Sequence, residues 1–209
     1  MTHFYLIRHG RTAWNNSDRL QGWADEPLDD VGQAQTAALA ARLHDVRFDA
    51  LYSSPLRRAR QTAEALAVSR GLPVTLDDRL RERNVGDWTG LTLDQARAQA
   101  PDRFMADWRQ AGAPGGEAQA ALTARVAAVF DDIVAAYPAA TVAVVSHGGA
   151  LSAVLAHLLG IPGQRPVSFS FHNTAIARLI VTPNGASGSQ VRLISLGDDR
   201  HIERLGPEG

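Results

Sequence analysis

The sequence predicts an α/β protein, a three-layer α/β/α sandwich whose mostly parallel sheet has about six strands and one antiparallel edge. Short apolar runs alternate along the chain with longer alanine-rich segments, which is the order in which parallel strands and their crossover helices follow one another. No repeat, linker or low-complexity tract divides the 209 residues. We therefore expect one domain over residues 1–209, with a helical rim inserted at about 91–118.

The first half of the chain predicts three strands and two long helices. In chain order these are strand 4–7, helix 31–43, strand 49–54, helix 55–69 and strand 73–76. Asp29 or Asp30 can cap the first helix, because an aspartate accepts hydrogen bonds from the N–H groups of a first turn. The second helix is expected to begin at Pro55 after Ser54, since proline is common at the first helical position and serine before it.

The second half continues the alternation and adds a terminal hairpin. The predicted elements are a helix from 92 to Pro101, a helix from 119 to Pro138, strand 141–146, helix 149–159 closed by Gly160 and Pro162, and strands 174–182 and 190–196. Thr92 and Gln95 have the spacing of a capping box at the start of a helix. The last two strands flank the turn-forming segment PNGASGS, which predicts an antiparallel pair.

Composition excludes several kinds of chemistry. The chain has no cysteine, which excludes disulfides, thiolate metal sites and cysteine nucleophiles. All 21 basic residues are arginine, so lysine Schiff bases are excluded and any anion site must be built from arginine and histidine. The formal net charge of −1 argues against nucleic acid and anionic membranes as general partners. The opening residues lack the pattern of a signal peptide, and we expect a cytoplasmic protein.

Two apolar runs end in the same way, with a histidine followed by a glycine. His9 lies in LIRHG (6–10), and His147 lies in VVSHG (144–148). If both runs are parallel strands, both histidines leave the same edge of the sheet, where α/β proteins bind ligands. Glycine lets a ligand approach the backbone closely. Gly148 also opens a predicted helix, whose unpaired N–H groups favour an anion.

Two arginines are expected at the same edge. Arg8 directly precedes His9, and Arg58 lies in the first turn of its predicted helix, where side chains lean toward the N-terminus. Guanidinium groups bind phosphate through paired hydrogen bonds. The sequence therefore predicts that these arginines and the two histidines surround a dianionic phosphate. Arg57, by contrast, is expected on the solvated face of the helix.

Five blocks of sequence resemble the histidine phosphatase superfamily, also called the phosphoglycerate-mutase-like family. They are LIRHGRTAWN (6–15), RLQGWADEPLDDVGQAQ (19–35), SSPLRRARQTA (53–63), LRERNVGDWTG (80–90) and VVSHGG (144–149). The blocks cover most of the chain and stand in the order that the family has. The resemblance implies an α/β fold and phosphoryl transfer through a phosphorylated histidine.

The resemblance also implies roles for particular residues. His9 resembles the nucleophile that is transiently phosphorylated, and Glu82 resembles the proton donor. Arg8, Arg58 and His147 resemble the family's phosphate clamp, in which we expect His147 to be protonated. The positions that line the pocket in the family are Asn15, Gln21 and Gly22.

Two positions near the predicted rim depart from the family pattern. Glu117 matches the glutamate of a family GGES loop, but Ala118 stands in place of the serine. Thr89 stands where many relatives have glutamate. Neither departure touches the clamp or the proton donor, and Glu117 is the second candidate for the acid.

The family contains phosphatases and mutases, and the spacing here resembles the compact phosphatase branch. Glu82 and His147 lie only 65 positions apart, whereas mutases carry a longer segment there. No lysine is present to hold substrate as mutases do. We therefore predict a metal-independent enzyme without a cofactor, which hydrolyses phosphomonoesters of small metabolites, with a broad range of substrates as one option.

Other functions stay open. The chain could be a cofactor-dependent phosphoglycerate mutase, or a phosphatase dedicated to glucosyl-3-phosphoglycerate or to α-ribazole phosphate. A non-catalytic phosphoester-binding module is the alternative from another class, although such modules usually lose a core residue. The expected partner is a small phosphomonoester, with neither nucleic acid nor a membrane involved, and a homodimer is one assembly state left open.

Overall fold

Six strands form one sheet in the structure, a computed structural model that describes residues 1–68, 70–105, 107–161, 168–184 and 189–205. The strands are β1 (Thr2–Arg8), β2 (Ala50–Ser53), β3 (Val74–Leu76), β4 (Thr141–Ser146), β5 (Ile176–Pro183) and β6 (Ser189–Asp198). Their order is β3-β2-β4-β1-β5-β6. The first four run parallel, and β5 runs antiparallel to both β1 and β6. The predicted mostly parallel sheet with an antiparallel side is confirmed.

The described residues also form eight α-helices and three short 3₁₀ turns. The α-helices are α1 (Ala13–Asn16), α2 (Asp30–Arg42), α3 (Arg57–Val68), α4 (Leu93–Gln99), α5 (Pro101–Met105), α6 (Trp108–Ala111), α7 (Gln119–Ala136) and α8 (Gly148–Leu158). The 3₁₀ turns are Asp78–Leu80, Gly86–Trp88 and Glu203–Leu205. None of the helices within these described ranges is long and apolar enough to cross a membrane.

Apolar side chains on the two faces of the sheet pack against different helices, because successive residues of a strand point to opposite faces. Phe4, Leu6, Val142 and Val144 pack against the buried stripes of α7 and α8. Ile7, Leu51, Ala143 and Val145 pack against α2 and α3. The expected three layers are therefore present, and both helix layers reach the edge of the sheet where β1 and β4 end.

Two predicted caps are confirmed. The Asp29 side chain accepts a hydrogen bond from Gly32 N at the start of α2. Thr92 and Gln95 form the reciprocal bonds of a capping box at the start of α4. Pro101 does more than end this helix, because it also begins α5, a position at which proline is well accommodated.

The helix expected from Pro55 begins two residues later, at Arg57. Ser54 Oγ accepts a hydrogen bond from Leu56 N at 3.3 Å. The N–H group of Arg57 donates to Asp25 Oδ1 at 2.6 Å, so the capping carboxylate comes from a distant loop. The sequence around the helix could not show this partner. The predicted helix end at Ser69, the closing Pro162 and the turn at 185–188 lie outside the described residues.

A small apolar cluster lies apart from the main core, beside the site edge of the sheet. It consists of Val85, Trp88, Ala96, Trp108 and Ala113. The indole rings of Trp88 and Trp108 meet edge to face, with centroids 5.4 Å apart and planes at 70°. This cluster holds together the region predicted as a helical rim. The organisation as one domain with an inserted rim stays a prediction.

Candidate active site

The backbone places His9 and His147 side by side. The N–H group of His9 donates to Ser146 O at 3.0 Å, which extends the pairing of β1 and β4 beyond the strands. The two imidazole rings have centroids 5.1 Å apart and planes at 59°. His9 is 3% exposed and His147 is 0% exposed. The two strand ends therefore bring both histidines into one buried site.

One hydrogen bond fixes the tautomer of His9. Its Nδ1 lies 2.7 Å from Gly10 O, and a carbonyl oxygen only accepts hydrogen bonds, so Nδ1 carries the proton. Nε2 is then left with its lone pair. Burial and, after it, the positive charges of Arg58 and Arg8 lower the pKa of His9 well below its ordinary value of 6.5. The ring is therefore neutral at neutral pH, as a nucleophile must be.

Arg58 is buried and rigidly held at the same site. It is 1% exposed, and its Nη1 and Nη2 donate to Ala24 O at 2.7 Å and Gly22 O at 2.9 Å. Arg8 is held by a bond from its Nη1 to Phe171 O at 2.6 Å. Burial lowers the pKa of Arg58 to about 10, which still leaves the guanidinium charged at neutral pH. Both arginines thus supply fixed positive charge beside the histidines.

His147 faces a hydroxyl rather than a carboxylate. Its Nε2 lies 2.8 Å from Ser54 Oγ, which also accepts from Leu56 N and so can donate its own proton to the ring. Burial and then the charge of Arg58 lower the pKa of His147 well below 6.5. His147 is therefore neutral at neutral pH in the site formed by the protein alone, and its expected protonation in the phosphate clamp stays a prediction. A bound phosphate dianion would act in the opposite direction, because opposite charge favours the protonated ring.

Three buried donors converge on the site without an acceptor. Within the described residues no hydrogen-bond partner is present for Arg8 Nε, Arg58 Nε or His147 Nδ1. Buried donors are nearly always paired in native proteins, and leaving one unpaired costs free energy. A phosphoryl group between these side chains would supply the missing acceptor oxygens.

The carboxylate of Glu82 reaches the same site from another segment. Its Oε2 accepts a hydrogen bond from Gly149 N at 3.0 Å, and its Oε1 accepts from Arg83 N at 2.7 Å. A Cβ atom at Gly149 would lie only 2.4 Å from Glu82 Oε1. Arg81, one of the arginines that could have paired with Glu82, instead pairs with Asp78. Glu82 therefore faces the first turn of α8, next to His147.

Arg8, His9, Arg58 and Glu82 line one cavity with a volume of about 730 Å³, whereas His147 is not part of its lining and meets it through the ring contact with His9. Four further predicted residues line the same cavity. They are Asn15, Gln21, Gly22 and Gly148. Asn15 Oδ1 accepts a hydrogen bond from Thr12 N at 3.1 Å, which fixes the orientation of the Asn15 side chain. Gly22 has a φ of +48°, which glycine adopts without strain, and its carbonyl holds Arg58. Gln21 is nearly buried, and its Oε1 has no partner among the described residues.

The cavity lining also contains residues of mixed character that the sequence did not single out. They include Arg83, Trp108, Gln119, Thr123, His157 and Phe169. The guanidinium of Arg83 donates to Arg109 O and Gln119 Oε1 and lies over the ring of Trp108. Burial lowers the pKa of Arg83. A cavity of about 730 Å³ as a whole has room for more than a phosphate group.

Two residues of the predicted rim lie outside the cavity lining, since Glu117 pairs with Arg125 and Thr89 is exposed. His172 also lies outside it and pairs with Asp199 at 2.6 Å. Glu117 is therefore not placed to protonate a leaving group, which removes it as the second candidate for the acid. Ala118 is the N-cap residue of α7 and makes no side-chain capping bond.

Sequence reasoning missed three contacts in the segment behind His9. Asn173 Nδ2 donates to His9 O at 3.0 Å. Thr174 N donates to Arg8 O at 3.1 Å, and its backbone has a φ of +59°. His201, in the DDRHI segment, contacts Thr174 Oγ1 at 2.9 Å. The histidine–asparagine pair at 172–173, directly before a predicted strand, is the sequence signal that could have indicated these contacts.

Comparison with known proteins agrees with this geometry. The family model of the histidine phosphatase superfamily (branch 1) matches residues 4–193. A Yersinia pestis (strain Pestoides F) protein named probable phosphoglycerate mutase GpmB is 31% identical over 211 aligned residues, which cover 97% of this chain and 96% of that protein.

Two solved structures share the whole fold. A mycobacterial glucosyl-3-phosphoglycerate phosphatase in complex with VO3 superimposes with a TM-score of 0.86 at 33% identity, covering 93% of this chain and 98% of that one. A phosphoserine phosphatase mutant from Entamoeba histolytica in complex with phosphoserine gives 0.79 at 27% identity, with 97% and 100% covered. With its paired histidines, two arginines and the matching family model, the chain belongs to the histidine phosphatase superfamily.

Proposed function

We propose that the protein hydrolyses phosphomonoesters of small metabolites through a phosphohistidine at His9. One observation carries the proposal: the Nδ1–Gly10 bond leaves Nε2 of His9 as a neutral nucleophile, next to three buried donors that lack an acceptor. Nε2 attacks phosphorus, and the bond between phosphorus and the ester oxygen breaks. Phosphoryl transfer needs mainly positioning and stabilisation of charge, which fixed cations supply.

The phosphate clamp in this proposal consists of Arg8, Arg58 and His147. Their unpaired Nε and Nδ1 atoms bind the non-bridging oxygens, and the N–H groups at the start of α8, including that of Gly148, add to the positive field. Asn15 and Gln21 line the cavity next to the clamp and complete the polar surface around the phosphate.

Glu82 acts as general acid and then as general base. In the first step its carboxyl group gives a proton to the leaving alkoxide, which departs as an alcohol. In the second step the carboxylate takes a proton from water, the water oxygen attacks phosphorus, and the bond to His9 Nε2 breaks to release phosphate. Its position between the start of α8 and the open cavity supports both tasks.

Metal independence is part of the proposal. The clamp brings two arginine charges to the phosphate by itself, so the chemistry does not call for a divalent cation. Among the described residues no group of three or more histidine and carboxylate side chains could hold a metal ion. The substrate range, the cytoplasmic location and a homodimer stay predictions.

Phosphoglycerate mutase is the second candidate, favoured by the name of the Yersinia relative. A mutase must keep the phosphohistidine away from water, whereas the described part of the cavity lining includes the exposed residues Arg109 and Gln110, and only 65 positions separate Glu82 from His147. This supports hydrolysis over retention of the phosphoryl group.

A panel assay distinguishes these functions. Purified protein is treated with a chelator and offered sugar, glycerate, amino-acid and aryl phosphates, and released inorganic phosphate is measured. The same protein is tested for interconversion of 3- and 2-phosphoglycerate after priming with 2,3-bisphosphoglycerate. We expect phosphate release with little interconversion. Interconversion as the faster reaction would identify a mutase, and vanadate binding without turnover of any ester would identify a binding module.

A further inference from the structure

Residues 79–82, here called the acid segment because they lead to Glu82, are held by side chains from three other parts of the chain. All four of its carbonyl groups accept side-chain hydrogen bonds. Arg125 Nη1 donates to Arg79 O at 2.8 Å and to Arg81 O at 2.7 Å, and Arg125 Nη2 donates to Glu82 O at 2.8 Å. Ser146 Oγ donates to Leu80 O, and Trp23 Nε1 donates to Glu82 O, both at 2.7 Å. The acid segment thus depends on these donors for its path.

Arg125 makes three of these bonds and uses all five of its N–H groups. The other two donate to Glu117, from Nε to Oε1 at 2.7 Å and from Nη2 to Oε2 at 2.7 Å. The two side chains are only 18% and 13% exposed. A two-pronged arginine–carboxylate pair fixes the plane of the guanidinium. Glu117 therefore sets the orientation in which Arg125 meets the acid segment.

The carboxylate and the carbonyl group of Glu82 are held by different donors. Gly149 N and Arg83 N hold the two carboxylate oxygens, while Arg125 and Trp23 hold the carbonyl group of the same residue. A shift of the Glu82 backbone would therefore move the carboxylate by a similar distance from Gly149 N. A shift of 1 Å at a reacting group can cost on the order of 10²-fold in rate.

We propose that Arg125, oriented by Glu117, is a positioning residue that holds Glu82 at the reacting end of the cavity. The inference rests on the proposed function, in which Glu82 is the general acid. Arg125 does not line the cavity and makes no hydrogen bond to the clamp. Its positive charge lowers the pKa of His147, and a lysine at this position keeps that charge, so the loss of its hydrogen bonds acts through the acid segment. Its contribution must therefore depend on how much the leaving group needs a proton.

The test compares two substrates in five variants. Aryl phosphate (p-nitrophenyl phosphate) leaves as a stable phenolate, whereas glycerol phosphate leaves as a basic alkoxide. The ratio of kcat/KM for the two is measured in Arg125→Lys, Glu117→Gln, Glu82→Gln, the double variant Arg125→Lys/Glu82→Gln, and the control Asp132→Asn. Lysine keeps the charge but cannot span the acceptors that the planar fork reaches.

The control removes a contact of the same kind that does not reach Glu82. Asp132 lies on α7, as Arg125 does, and pairs with Arg79 of the acid segment at 2.7 Å, but the pair is exposed. Exposed ion pairs contribute little, so Asp132→Asn is expected to leave the substrate ratio and the melting temperature unchanged.

We expect Arg125→Lys to lower kcat/KM for glycerol phosphate by about 10- to 100-fold and to affect the aryl ester much less. Because Arg125 acts through Glu82, the double variant should be no slower than Glu82→Gln alone. Vanadate affinity, which reports the clamp, should stay at the wild-type value. Equal losses for the two substrates, or losses that add in the double variant, would overturn the proposal and leave Arg125 a residue of the fold.

Two further results separate this inference from the proposed function. If Glu82→Gln discriminates between the substrates and Arg125→Lys does not, the positioning role is wrong and the function of Glu82 stands. If Glu82→Gln slows both substrates equally, the acid role fails and the positioning role fails with it. Should Arg125→Lys not fold, Glu117→Gln decides alone, since it keeps the shape of the pair and is expected to give a smaller but equally selective loss.

Discussion

A Cβ atom on Gly149 would lie 2.4 Å from Glu82 Oε1, so only glycine leaves room for this carboxylate. Gly149→Ala should therefore displace Glu82 while improving the helix propensity of α8 by up to ~1 kcal/mol. We expect kcat/KM for an alkyl phosphate to fall by about tenfold or more, with an unchanged or raised melting temperature. Full activity in a correctly folded variant would show that the carboxylate can work from elsewhere.

His9 should carry the phosphoryl group. Brief incubation with ³²P-labelled substrate, followed by a quench without acid, is expected to give a labelled protein, because Nε2 is the neutral nucleophile of the site. The label should be labile in acid and stable in base, and His9→Ala should lack it. Wild-type amounts of label on that variant would assign the nucleophile to another residue.

Arg58 should contribute mainly to the transition state. Arg58→Ala removes a buried charge beside the phosphate, and we expect kcat to fall by well over tenfold, which corresponds to more than ~1.4 kcal/mol. Arg57→Ala is the matched control, because Arg57 is the adjacent residue of α3 and its side chain is exposed. Urea unfolding of both variants shows whether lost packing explains the change. A loss below tenfold for Arg58→Ala would place that guanidinium outside the reaction.

Acid should weaken the fold through the two buried histidines. Their pKa values lie well below 6.5 in the folded protein. Below pH 6.5 the two histidines therefore bind protons in the unfolded chain but stay neutral in the folded protein. Stability is then fully present above pH 6.5 and falls as the pH drops toward the lowered pKa values, by up to ~1.4 kcal/mol per pH unit for each histidine. Urea unfolding between pH 7.5 and 5.5 measures the slope. His147→Gln should have a shallower slope than the wild type.

Ala118 offers a stabilising substitution. It is the N-cap of α7, with φ −71° and ψ 155°, and it makes no side-chain bond to the first turn. Ala118→Ser should raise the free energy of unfolding by about 0.5–2 kcal/mol, because the hydroxyl can accept from an unpaired N–H group. Ala120→Ser, which changes the second residue of α7, is the control and should not raise the free energy of unfolding. Equal changes in the free energy of unfolding for the two variants would mean that a serine at position 118 does not cap α7.

The parts of the site that could be predicted from sequence are those that follow from strand ends and helix starts. His9 and His147 end adjacent parallel strands, and Arg58 lies in a first helical turn, so periodicity alone brings them to one edge. Arg125 could not be found in this way. Its partners lie some 43 to 46 positions away in a segment without regular periodicity, and they are backbone carbonyls, which no side-chain pattern records.

Glu117 was misread for a related physical reason. A glutamate in a glycine-rich loop can face either a cavity or a neighbouring cation, and only the turn of the backbone decides which. Here the carboxylate meets the guanidinium of Arg125 on the far side of the acid segment. The lowered pKa of His147 was equally hidden, since it depends on how deeply the ring is buried and not on its neighbours in sequence.

The order of the sheet has a consequence for how the protein is made. β1 leaves the ribosome first, yet its two neighbours are β4 and β5, which are among the last strands to be synthesised. Phe4, Leu6 and Ile7, buried in the finished protein, therefore have no strand beside them while most of the chain is still being translated. Pairings this distant in sequence form slowly and leave apolar surface exposed in the meantime. The nascent chain thus exposes the apolar strand that leads to His9 long before that strand can close the centre of the sheet.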